Sequence, residues 1–576
     1  MQSESSSKQK LLYSADETPP HALSAFLGFQ AIALMISGIA LTPVVVLRIA
    51  GQDGSANNWV IFAAFMISGL TTCLQARPLF GRWGSGYPLF MGTSGAFIAV
   101  GAAAVEQGGL ALLGTLAACS ALVQLALAAR LSWFRHVITP AVGGVIVMLI
   151  VVTVFPVCTD LLTKVPEGKQ DIEAFWTATA TFVTIILIAI FGAPKWRLWG
   201  PLIGVVLGTL VSVPFGLFDT TVISQAAWFG FPDVAWPGLD LSFDSKFWAL
   251  FPAFAIVTVV GAIETFGDAV SIQRCGHRGS RPIDFRSVQG ALRADGIGNL
   301  LSGLMGTLPN TTYSTSISLV EFTGIAARRV GFYGGAILLL LAFFPKVSAL
   351  LQAIPNPVIG AYLIILLAVL FSAGGIRLIS NGGLSPENGL LVGISFWMGT
   401  AFQGRMIFPE MMPNWLHTIM DNGMTAGGFT ALIISGLFYL RRRKPGRLDL
   451  PAKTALVGPV QQFLSARAGA QRWDEAAIRR LELVGEEALM FLSAGENESE
   501  QPIRLNLHFE DEAATVEFAV GSSAMNLESA LNAVPEQDKG EENVGLHLLR
   551  QLAQSVEHHQ FDDGSFLALK IESRPL

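Results

Sequence analysis

The feature that most constrains this 576-residue chain is a charge-poor apolar stretch that runs from Ala22 to Leu440. Gly, Leu, Ile, Val and Phe dominate it, and windows of about 20 apolar residues, enough to cross the hydrocarbon core of a bilayer, recur along it. In the whole chain 14% of residues are charged and the mean hydropathy is +0.52, against about 25% charge in soluble domains. The pattern predicts an all-α polytopic membrane protein, followed by a small α/β domain.

Fourteen apolar windows are predicted, seven on each side of a polar stretch at 218–246. The third window of each half is short and is interrupted by Gly or Pro. A pair of broken segments at matching positions is typical of a 7+7 inverted-repeat transporter, whose site lies between the breaks. The windows are 24–48, 58–76, 89–105, 109–129, 137–158, 173–193 and 198–217, then 248–272, 288–308, 312–326, 331–350, 356–373, 387–404 and 424–440.

The Lys/Arg residues divide the chain further. They concentrate in the even-numbered connections, which places both termini in the cytoplasm. Residues 1–20 are expected to be a disordered cytoplasmic leader, 21–440 the membrane domain, 441–455 a basic linker and 456–576 a cytoplasmic domain. The four cysteines form no CxxC pair, so neither a metal nor a cofactor is predicted.

The eighth window holds two acids, Glu264 and Asp268, which lie about one turn apart on one helix face. Ionisable residues inside an apolar span are functional-site candidates by default. The alternative is a carboxylic acid that is kept neutral by local hydrogen bonds and only ties helices together.

The two broken segments carry small and hydroxyl-bearing residues. The first contains Gly92-Thr93-Ser94-Gly95, and the second begins at Pro309-Asn310-Thr311-Thr312. If both are half-helices that start inside the membrane, their free N–H groups face a shared cavity and favour a polar or anionic ligand. The alternative is that the small residues only permit close helix packing.

Several strings resemble the nucleobase–ascorbate transporters, which include the bacterial xanthine and uracil permeases: GFQAIALMISGIALTPVVV, GAIETFGD, RADGIGNLLSGLMGTLPNTTY and FTGIAARRVG. The resemblance covers about residues 20–440. It implies a core (windows one to four and eight to eleven) and a gate (the rest), in a bacterial inner membrane. It also implies secondary active transport, with proton- or sodium-coupled symport of a purine, pyrimidine or related heterocycle by alternating access.

The resemblance also implies roles for residues. Glu264 matches the glutamate that hydrogen-bonds the base, and Asp268 the acidic or His position one turn later. Gly95 falls where relatives place a Phe against the ring. The expected substrate-binding residues are Glu264, Asp268, Gly95, Tyr313, Ser314 and Thr315. The expected proton-coupling residues are Glu264, Asp268 and Asp295.

The second break departs from the family pattern. Thr315 stands where the family signature has Glu or Gln, and Gln30-Ala31 replaces a Gln-His pair in the first window. With Gly95 in place of an aromatic wall, the pocket is expected to be wider and poorer in hydrogen bonds. Glu321 is an additional acid, either a second acid of the cavity or the partner of a basic residue, and the ion pair is the favoured interpretation.

The C-terminal region 456–574 reads as helix, two-stranded hairpin, helix and strand, an order that resembles the histidine-kinase-like ATPases of the anti-sigma-factor type. Glu487 matches a family position, but Phe491 stands where the metal-binding Asn belongs. Ala519-Val520-Gly521-Ser522 replaces the Asp-x-Gly loop, and only Gly545 matches the second glycine loop. We therefore expect a degenerate regulatory or dimerisation module.

Two other functions remain open. A sulfate-permease-like anion transporter has the same 7+7 plan, but prefers a basic residue in its site. A transporter-derived sensor would bind its ligand in the membrane and signal through the tail. Enzyme activity in the membrane half is not expected, because no nucleophile–His pair occurs there. The expected partners are a small-molecule substrate, a coupling cation, membrane lipid, a second copy of the chain and a regulatory protein at the tail.

Overall fold

The structure is a computed structural model that divides into two compact units. The membrane unit comprises Met1–Ala128, Phe134–Arg278 and Gly290–Tyr439, and the tail unit comprises Ala129–Trp133, Gly279–Gln289 and Leu440–Leu576. The structure describes residues 11–52, 55–131, 140–166, 169–232, 236–279, 281–372, 379, 385–403, 423–441, 446–450, 457–493, 503–510, 513–520, 526–533, 544–562 and 564–573.

The first half of the membrane unit is helical apart from one short strand. Its elements are α1 (His21–Ile49), α2 (Ser55–Ala76), β1 (Met91–Thr93), a 3₁₀ turn (Gly95–Phe97), α3 (Ile98–Ala129), α4 (Pro140–Thr163), α5 (Asp171–Phe191), α6 (Pro194–Ser212) and α7 (Thr221–Gln225). Gly108 and Gly109 leave helical geometry within α3, with φ of 69° at Gly109. The helix is therefore interrupted there, at the point between the windows 89–105 and 109–129.

The second half is also helical apart from one short strand. Its elements are α8 (Ser245–Cys275), α9 (Phe285–Met305), β2 (Asn310–Thr312), α10 (Thr315–Thr323), α11 (Arg328–Ala342), α12 (Pro345–Gln352), α13 (Asn356–Val369), α14 (Pro386–Gln403) and α15 (Gly423–Arg441). The Asp244 side chain caps α8 by accepting hydrogen bonds from the N–H groups of Lys246 and Phe247, which satisfies two of the unpaired donors of the first turn.

One predicted span is bent rather than straight. The window 331–350 forms α11 and α12, which meet at 84°. Phe344 precedes Pro345 and has a non-helical ψ of 82°, because the proline ring disfavours helical geometry in the residue before it.

Among the described residues, six helices are long and apolar enough to cross a bilayer, or seven if the bent pair forms one span. Shorter apolar helices occupy Trp196–Ser212, Asn356–Ser372 and Gly423–Phe438. The chain is thus a multi-pass membrane protein, whereas the count of fourteen spans and the repeat relation stay predictions.

The two breaks meet. Strands β1 and β2 pair antiparallel, with Met91 opposite Thr312, Gly92 opposite Thr311 and Thr93 opposite Asn310. Each strand is followed by a helical segment, the 3₁₀ turn leading into α3 and the helix α10. The pairing satisfies backbone groups that a broken helix leaves unbonded inside an apolar region.

Close backbone contacts hold α1 and α2 against α11. A Cβ at Gly28 would lie 2.7 Å from the Gly334 nitrogen, and one at Gly335 would lie 2.6 Å from Cys73 Sγ. Only glycine fits at such separations, and small residues of this kind allow apolar helices to pack closely in a membrane.

Residues 11–20 of the expected leader are ordered. Tyr13 forms a parallel bridge with Ile325, and Arg278 donates to the Glu17 carboxylate at 2.6 and 2.8 Å. The Arg278 hydrogen bonds lower the pKa of Glu17. Residues 11–20 of the expected leader thus have backbone and arginine partners, and residues 1–10 lie outside the described part of the chain.

The tail unit contains one antiparallel sheet and its covering helices. Its elements are β3 (Gly446–Leu450), α16 (Val457–Ala470), α17 (Glu475–Ser493), β4 (Ile503–Glu510), β5 (Ala513–Val520), α18 (Leu527–Ala533), α19 (Val544–Leu552), β6 (Ser555–Phe561) and β7 (Gly564–Glu572). The strand order is β3-β4-β5-β7-β6. Alternate residues of β5 (Ala514, Val516 and Phe518) are buried in one apolar core with Leu481 and Val484 of α17.

Two boundaries in the tail differ from prediction. Strand β3 lies inside the expected basic linker and pairs with β4, since its Leu450 side chain reaches the core. The region expected as one final strand is a hairpin of β6 and β7. The rest of the linker, 442–445 and 451–456, lies outside the described residues.

Candidate functional site

Helix α8 presents one face to both breaks. Phe254 on this face lies 5.7 Å from Phe97 of the 3₁₀ turn, between ring centroids. Thr265 and Asp268, three and four turns further along, contact groups at the second break. Residues at these spacings share a helix side. The predicted acids therefore lie on the helix that faces β1 and β2.

Asp268 is held by two hydroxyl groups of the second break. Thr312 Oγ1 donates to its Oδ2 at 2.7 Å, and Ser314 Oγ donates to its Oδ1 at 2.7 Å. The side chain is 7% exposed. Both oxygens thus have a partner, and the carboxyl group fixes the chain where β2 passes into α10.

Asp295 is the centre of a second, fully buried network. Gln124 Nε2 and Thr265 Oγ1 each donate to its Oδ2 at 2.7 Å. Gln124 Oε1 accepts from Asn299 Nδ2 at 2.6 Å, and Asn299 Oδ1 accepts from the N–H of Asn310. The chain of bonds joins α3, α8 and α9 to β2, while Asp295 Oδ1 has no partner among the described residues.

Sequence reasoning missed four members of these networks: Gln124, Thr265, Asn299 and Thr312. Two signals were present. Gln124 is a polar residue in an apolar window, and Asn299 follows Asp295 by one helical turn. Their importance appears only when the helices are placed together, because each partner lies on a different element.

Glu264 differs from the other two acids. No described residue forms a hydrogen bond with its carboxyl group, whose electrostatic neighbours are Asp268 and Asp295. The residue is partly exposed, unlike the buried Asp268 and Asp295. Three carboxyl groups close together in an apolar region repel one another when charged, and a proton or another cation relieves that repulsion.

The remaining predicted residues play different parts. Tyr313 donates from its hydroxyl to the Thr93 carbonyl at 2.9 Å, and a Cβ at Gly92 would lie 2.5 Å from its ring. Its hydroxyl therefore braces the first break. Ser314 is exposed, whereas Thr315 is partly buried as the first residue of α10.

Free backbone N–H groups at the breaks are fewer than predicted. Turn bonds to the carbonyls of Tyr313 and Ser314 use the N–H groups of Ser316, Ile317 and Ser318. The N–H group of Phe97 similarly bonds the Ser94 carbonyl. The first residues, Gly95 and Thr315, take no part in these bonds, so each helical start offers a smaller donor set than an open α-helix.

Glu321 lies away from this site. It is exposed near the end of α10, and the expected ion pair with a basic residue is not found in the described part of the chain. That expectation is wrong because Arg278 and Arg328 instead bond Glu17 and Asp16 of the N-terminal segment.

The tail holds the second group of predicted residues. Glu487 lies on α17, and a Cβ at Gly545 of α19 would lie 2.2 Å from its Oε2. Burial, and to a lesser extent the neighbouring Glu486, raises the pKa of Glu487. Phe491 packs against the apolar core. Of the predicted Asp-x-Gly replacement, Gly521 and Ser522 lie outside the described residues.

An apolar helical unit that holds a polar network between two broken, paired segments is the construction of a membrane transport protein. Residues 23–403 match the xanthine/uracil permease model, described as "Permease family". The chain belongs to this family. Residues 450–571 match the model of the histidine kinase-like ATPase domain, so the predicted resemblances are confirmed for both regions.

Two relatives extend the match along the membrane unit. A Clostridium perfringens protein with the provisional name of a purine permease is 30% identical over 435 residues, which cover 74% of this chain and 93% of that protein. Xanthine permease XanP of Escherichia coli K12 is 26% identical over 466 residues, which cover 74% of this chain and 95% of the relative. These relatives are transporters, not enzymes.

A solved structure shares the fold. The murine Slc26a9 anion transporter in its inward-facing state is similar with a TM-score of 0.52 and 12% identity, over 76% of this chain and 71% of that one. At this identity the likeness concerns the fold alone.

Proposed function

We propose that the membrane unit is a secondary active transporter that imports a purine or pyrimidine nucleobase, or a related heterocycle, by cation symport. The observation that carries this proposal is the Glu264 carboxyl group, which has no hydrogen-bond partner among the described residues. Asp268, in contrast, is bonded through both oxygens and Asp295 through one. A planar base presents ring N–H donors, and a carboxylate is a strong acceptor for such groups. The names of the relatives, purine permease and xanthine permease, support this substrate class.

The neighbouring groups have separate tasks in this proposal. Glu264 accepts the N–H groups of the base, and Ser314, beside Thr315 at the start of α10, supplies a hydroxyl group at the exposed edge of the site. Asp268 holds the second break in place. Binding of one cation, a proton or a sodium ion, reduces the repulsion among Glu264, Asp268 and Asp295 and so favours the loaded state.

The surroundings of the transporter are part of the proposal. We expect it in a bacterial inner membrane as a homodimer, with both termini in the cytoplasm. The Lys/Arg distribution supports that orientation, because positive loops stay on the cytoplasmic side. Its core and gate exchange access to the site from the two sides of the membrane.

The tail is proposed to be a regulatory module rather than a kinase. Phe491 fills a ligand position with an apolar ring in the core, and the Glu487 carboxyl group is pressed against α19 at Gly545. This arrangement supports protein binding or dimerisation more than Mg–ATP chemistry. A transporter-derived sensor would need the tail to respond to ligand in the membrane unit, which hydrogen exchange of the tail with and without substrate would detect.

Initial uptake of radiolabelled xanthine, hypoxanthine and uracil tests the proposal in cells that lack their own nucleobase permeases. Glu264→Gln is expected to lower uptake at least about 100-fold, since the lost charge-assisted bonds contribute about 1.5–3 kcal/mol each. Glu321→Gln, an exposed acid outside the site, is the matched control and should stay within twofold. Unchanged cation-driven uptake by Glu264→Gln would contradict the proposal.

A thermal-shift screen separates the anion-transporter alternative. Purified full-length protein is heated with purines, pyrimidines, sulfate and bicarbonate in turn. Stabilisation by at least one nucleobase supports the proposal, because a ligand that binds only the folded state raises its stability. Stabilisation by sulfate or bicarbonate alone would favour anion transport.

A further inference from the structure

The α8 face between Phe254 and Asp268 contains an unfilled position. Gly261 is buried, yet a Cβ built on it would meet no atom within 4 Å. Phe254, Thr258, Gly261, Thr265 and Asp268 follow one another at spacings of three and four residues, so they lie along one side of the helix. That side looks toward the 3₁₀ turn at one end, through Phe254 and Phe97, and toward the second break at the other.

The first break has open space as well. A Cβ at Gly95 would meet only Leu366 Cδ2 of α13, at 3.9 Å. This is an ordinary van der Waals separation, so a methyl-sized group fits beside Gly95 without moving its neighbour. Protein interiors are close-packed and rarely leave space of this kind without a use.

Two buried hydroxyl groups adjoin the open positions. Ser94 immediately precedes Gly95 and is 1% exposed, while Thr258 lies one turn before Gly261 and is also 1% exposed. Neither side-chain oxygen has a hydrogen-bond partner among the described residues. Buried polar atoms are normally satisfied, so these two hydroxyl groups are suited to bond the polar ring atoms of a bound base rather than its apolar substituent.

We propose that the space at Gly95 and Gly261 receives a small apolar substituent on the ring of the transported base, so that the substrate is an N-methylated purine or a similarly enlarged heterocycle. This inference rests on the proposed function and names its substrate class. Glu264 lies three residues after Gly261 and takes the N–H edge of the base. The substituent then lies between the α8 face and Leu366, where an apolar group gains from burial.

Competition binding to purified full-length protein tests the substrate class, with xanthine and its four mono-N-methyl derivatives (N1, N3, N7 and N9) as probes. At least one derivative is expected to bind as tightly as xanthine or up to about fourfold more tightly, the equivalent of one buried methyl-sized group at about 0.8 kcal/mol. If all four derivatives bind at least tenfold more weakly than xanthine, the inference is overturned.

Filling the space tests the two glycines. Gly95→Leu and Gly261→Val should each raise the Kd ratio of the favoured methyl derivative to xanthine at least fivefold. Gly267→Val is the matched control: this position of α8 also has no atom within 4 Å of a Cβ, but it points about 120° away from Gly261, so the ratio should not change.

A third variant guards against misfolding. Leu366→Phe narrows the space from the α13 side and should raise the same ratio, and size-exclusion profiles report whether each variant is folded. If the Kd ratio of the methyl derivative to xanthine is unchanged in folded Gly95→Leu, Gly261→Val and Leu366→Phe, the inference is overturned. If the wild type neither binds nor transports any nucleobase, the proposed function itself is overturned. The preference between xanthine and its methyl derivatives tests only the further inference.

Discussion

Glu264 of the membrane unit and Glu487 of the tail are both acids at positions matched by family patterns, and their surroundings are opposite. Glu264 lies on α8 with no hydrogen-bond partner among the described residues and with open space near Gly261. Glu487 lies on α17 with its carboxyl oxygen against Gly545, close to a phenylalanine that occupies a ligand position.

The difference shows that an acid at a position matched by a family pattern can have polar, hydrogen-bonded neighbours or apolar ones. Around Glu264 the groups of the proposed site are polar and bonded to one another, while the Glu264 carboxyl group has no hydrogen-bond partner among the described residues. Around Glu487 the neighbouring position has become part of an apolar core. A family residue therefore indicates a function only when its neighbours are retained as well.

The largest effect is expected from Asp268→Ala in the membrane unit. The substitution leaves the Thr312 and Ser314 hydroxyls without their acceptor, and two bonds of about 2 kcal/mol each correspond to a loss of about 10³-fold in transport. Initial uptake rates, normalised to protein in the membrane, measure it. Asp240→Ala, at a partly exposed position in the connection before α8, should stay within twofold. An Asp268→Ala rate within threefold of wild type would contradict the prediction.

A pH effect of similar size is expected in the tail. Burial, with a smaller contribution from His559, lowers the pKa of His558 to about 4 from an ordinary 6.5. Its Nδ1 accepts from the Leu527 N–H, which leaves Nε2 to donate to Ser565. Below pH 6.5 the unfolded chain gains a proton that the folded chain excludes. Stability is therefore complete above that pH and falls by about 3 kcal/mol as the pH drops toward 4.

Hydrogen exchange of β6 and β7 in the full-length protein, between pH 7.5 and pH 4.5, measures this change after correction for intrinsic exchange rates. His558→Gln should weaken the pH dependence. A tail whose opening free energy rises as the pH falls would contradict the assignment of a neutral, buried imidazole.

Phe491→Asn tests whether the tail binds Mg–ATP once an Asn stands where the ATPase family has its metal-binding Asn. The substitution places an amide in an apolar environment and is expected to destabilise the domain by about 2 kcal/mol. Exchange protection of α17 measures that loss, with Leu483→Asn at an exposed position of the same helix as the control. Mg–ATP binding by this variant without destabilisation would show that the rest of the nucleotide site is intact and that Phe491 alone prevents binding.

The smallest effect is expected from Mg–ATP on the wild-type protein. At 5 mM ATP, a Kd of about 100 μM would stabilise the tail by about 2.3 kcal/mol. We expect no change in tail exchange protection beyond about 0.3 kcal/mol. A clear increase in exchange protection would show that the tail binds Mg–ATP, and Glu487 would then lie in a ligand site as Glu264 is proposed to do.

Much of the membrane unit was predictable because apolar length determines where helices occur. The windows 24–48, 173–193 and 248–272 fall within α1, α5 and α8 apart from at most two residues at one end. The breaks were predictable from Gly92–Gly95 and Pro309–Thr312, since glycine and proline interrupt helices locally. The bend before Pro345 was not predicted, because the length of an apolar window does not show whether the helix within it is straight or bent.

The candidate site was only partly predictable. Glu264, Asp268 and Asp295 stand out as acids in apolar segments. Gln124, Asn299 and Thr312 become significant through partners on other helices, which a single sequence does not place. In the tail, β3 was missed because five residues after an arginine run resemble a linker until a neighbouring strand pairs with them.

The ladder between β1 and β2 has a mechanical consequence. Its backbone pairs join Met91–Thr93 to Asn310–Thr312, and all six residues are buried, so pulling the two breaks apart is unfavourable. If the chain transports by alternating access as proposed, the two breaks are expected to move together as one rigid unit. A bound molecule would then travel with this unit past the surrounding helices.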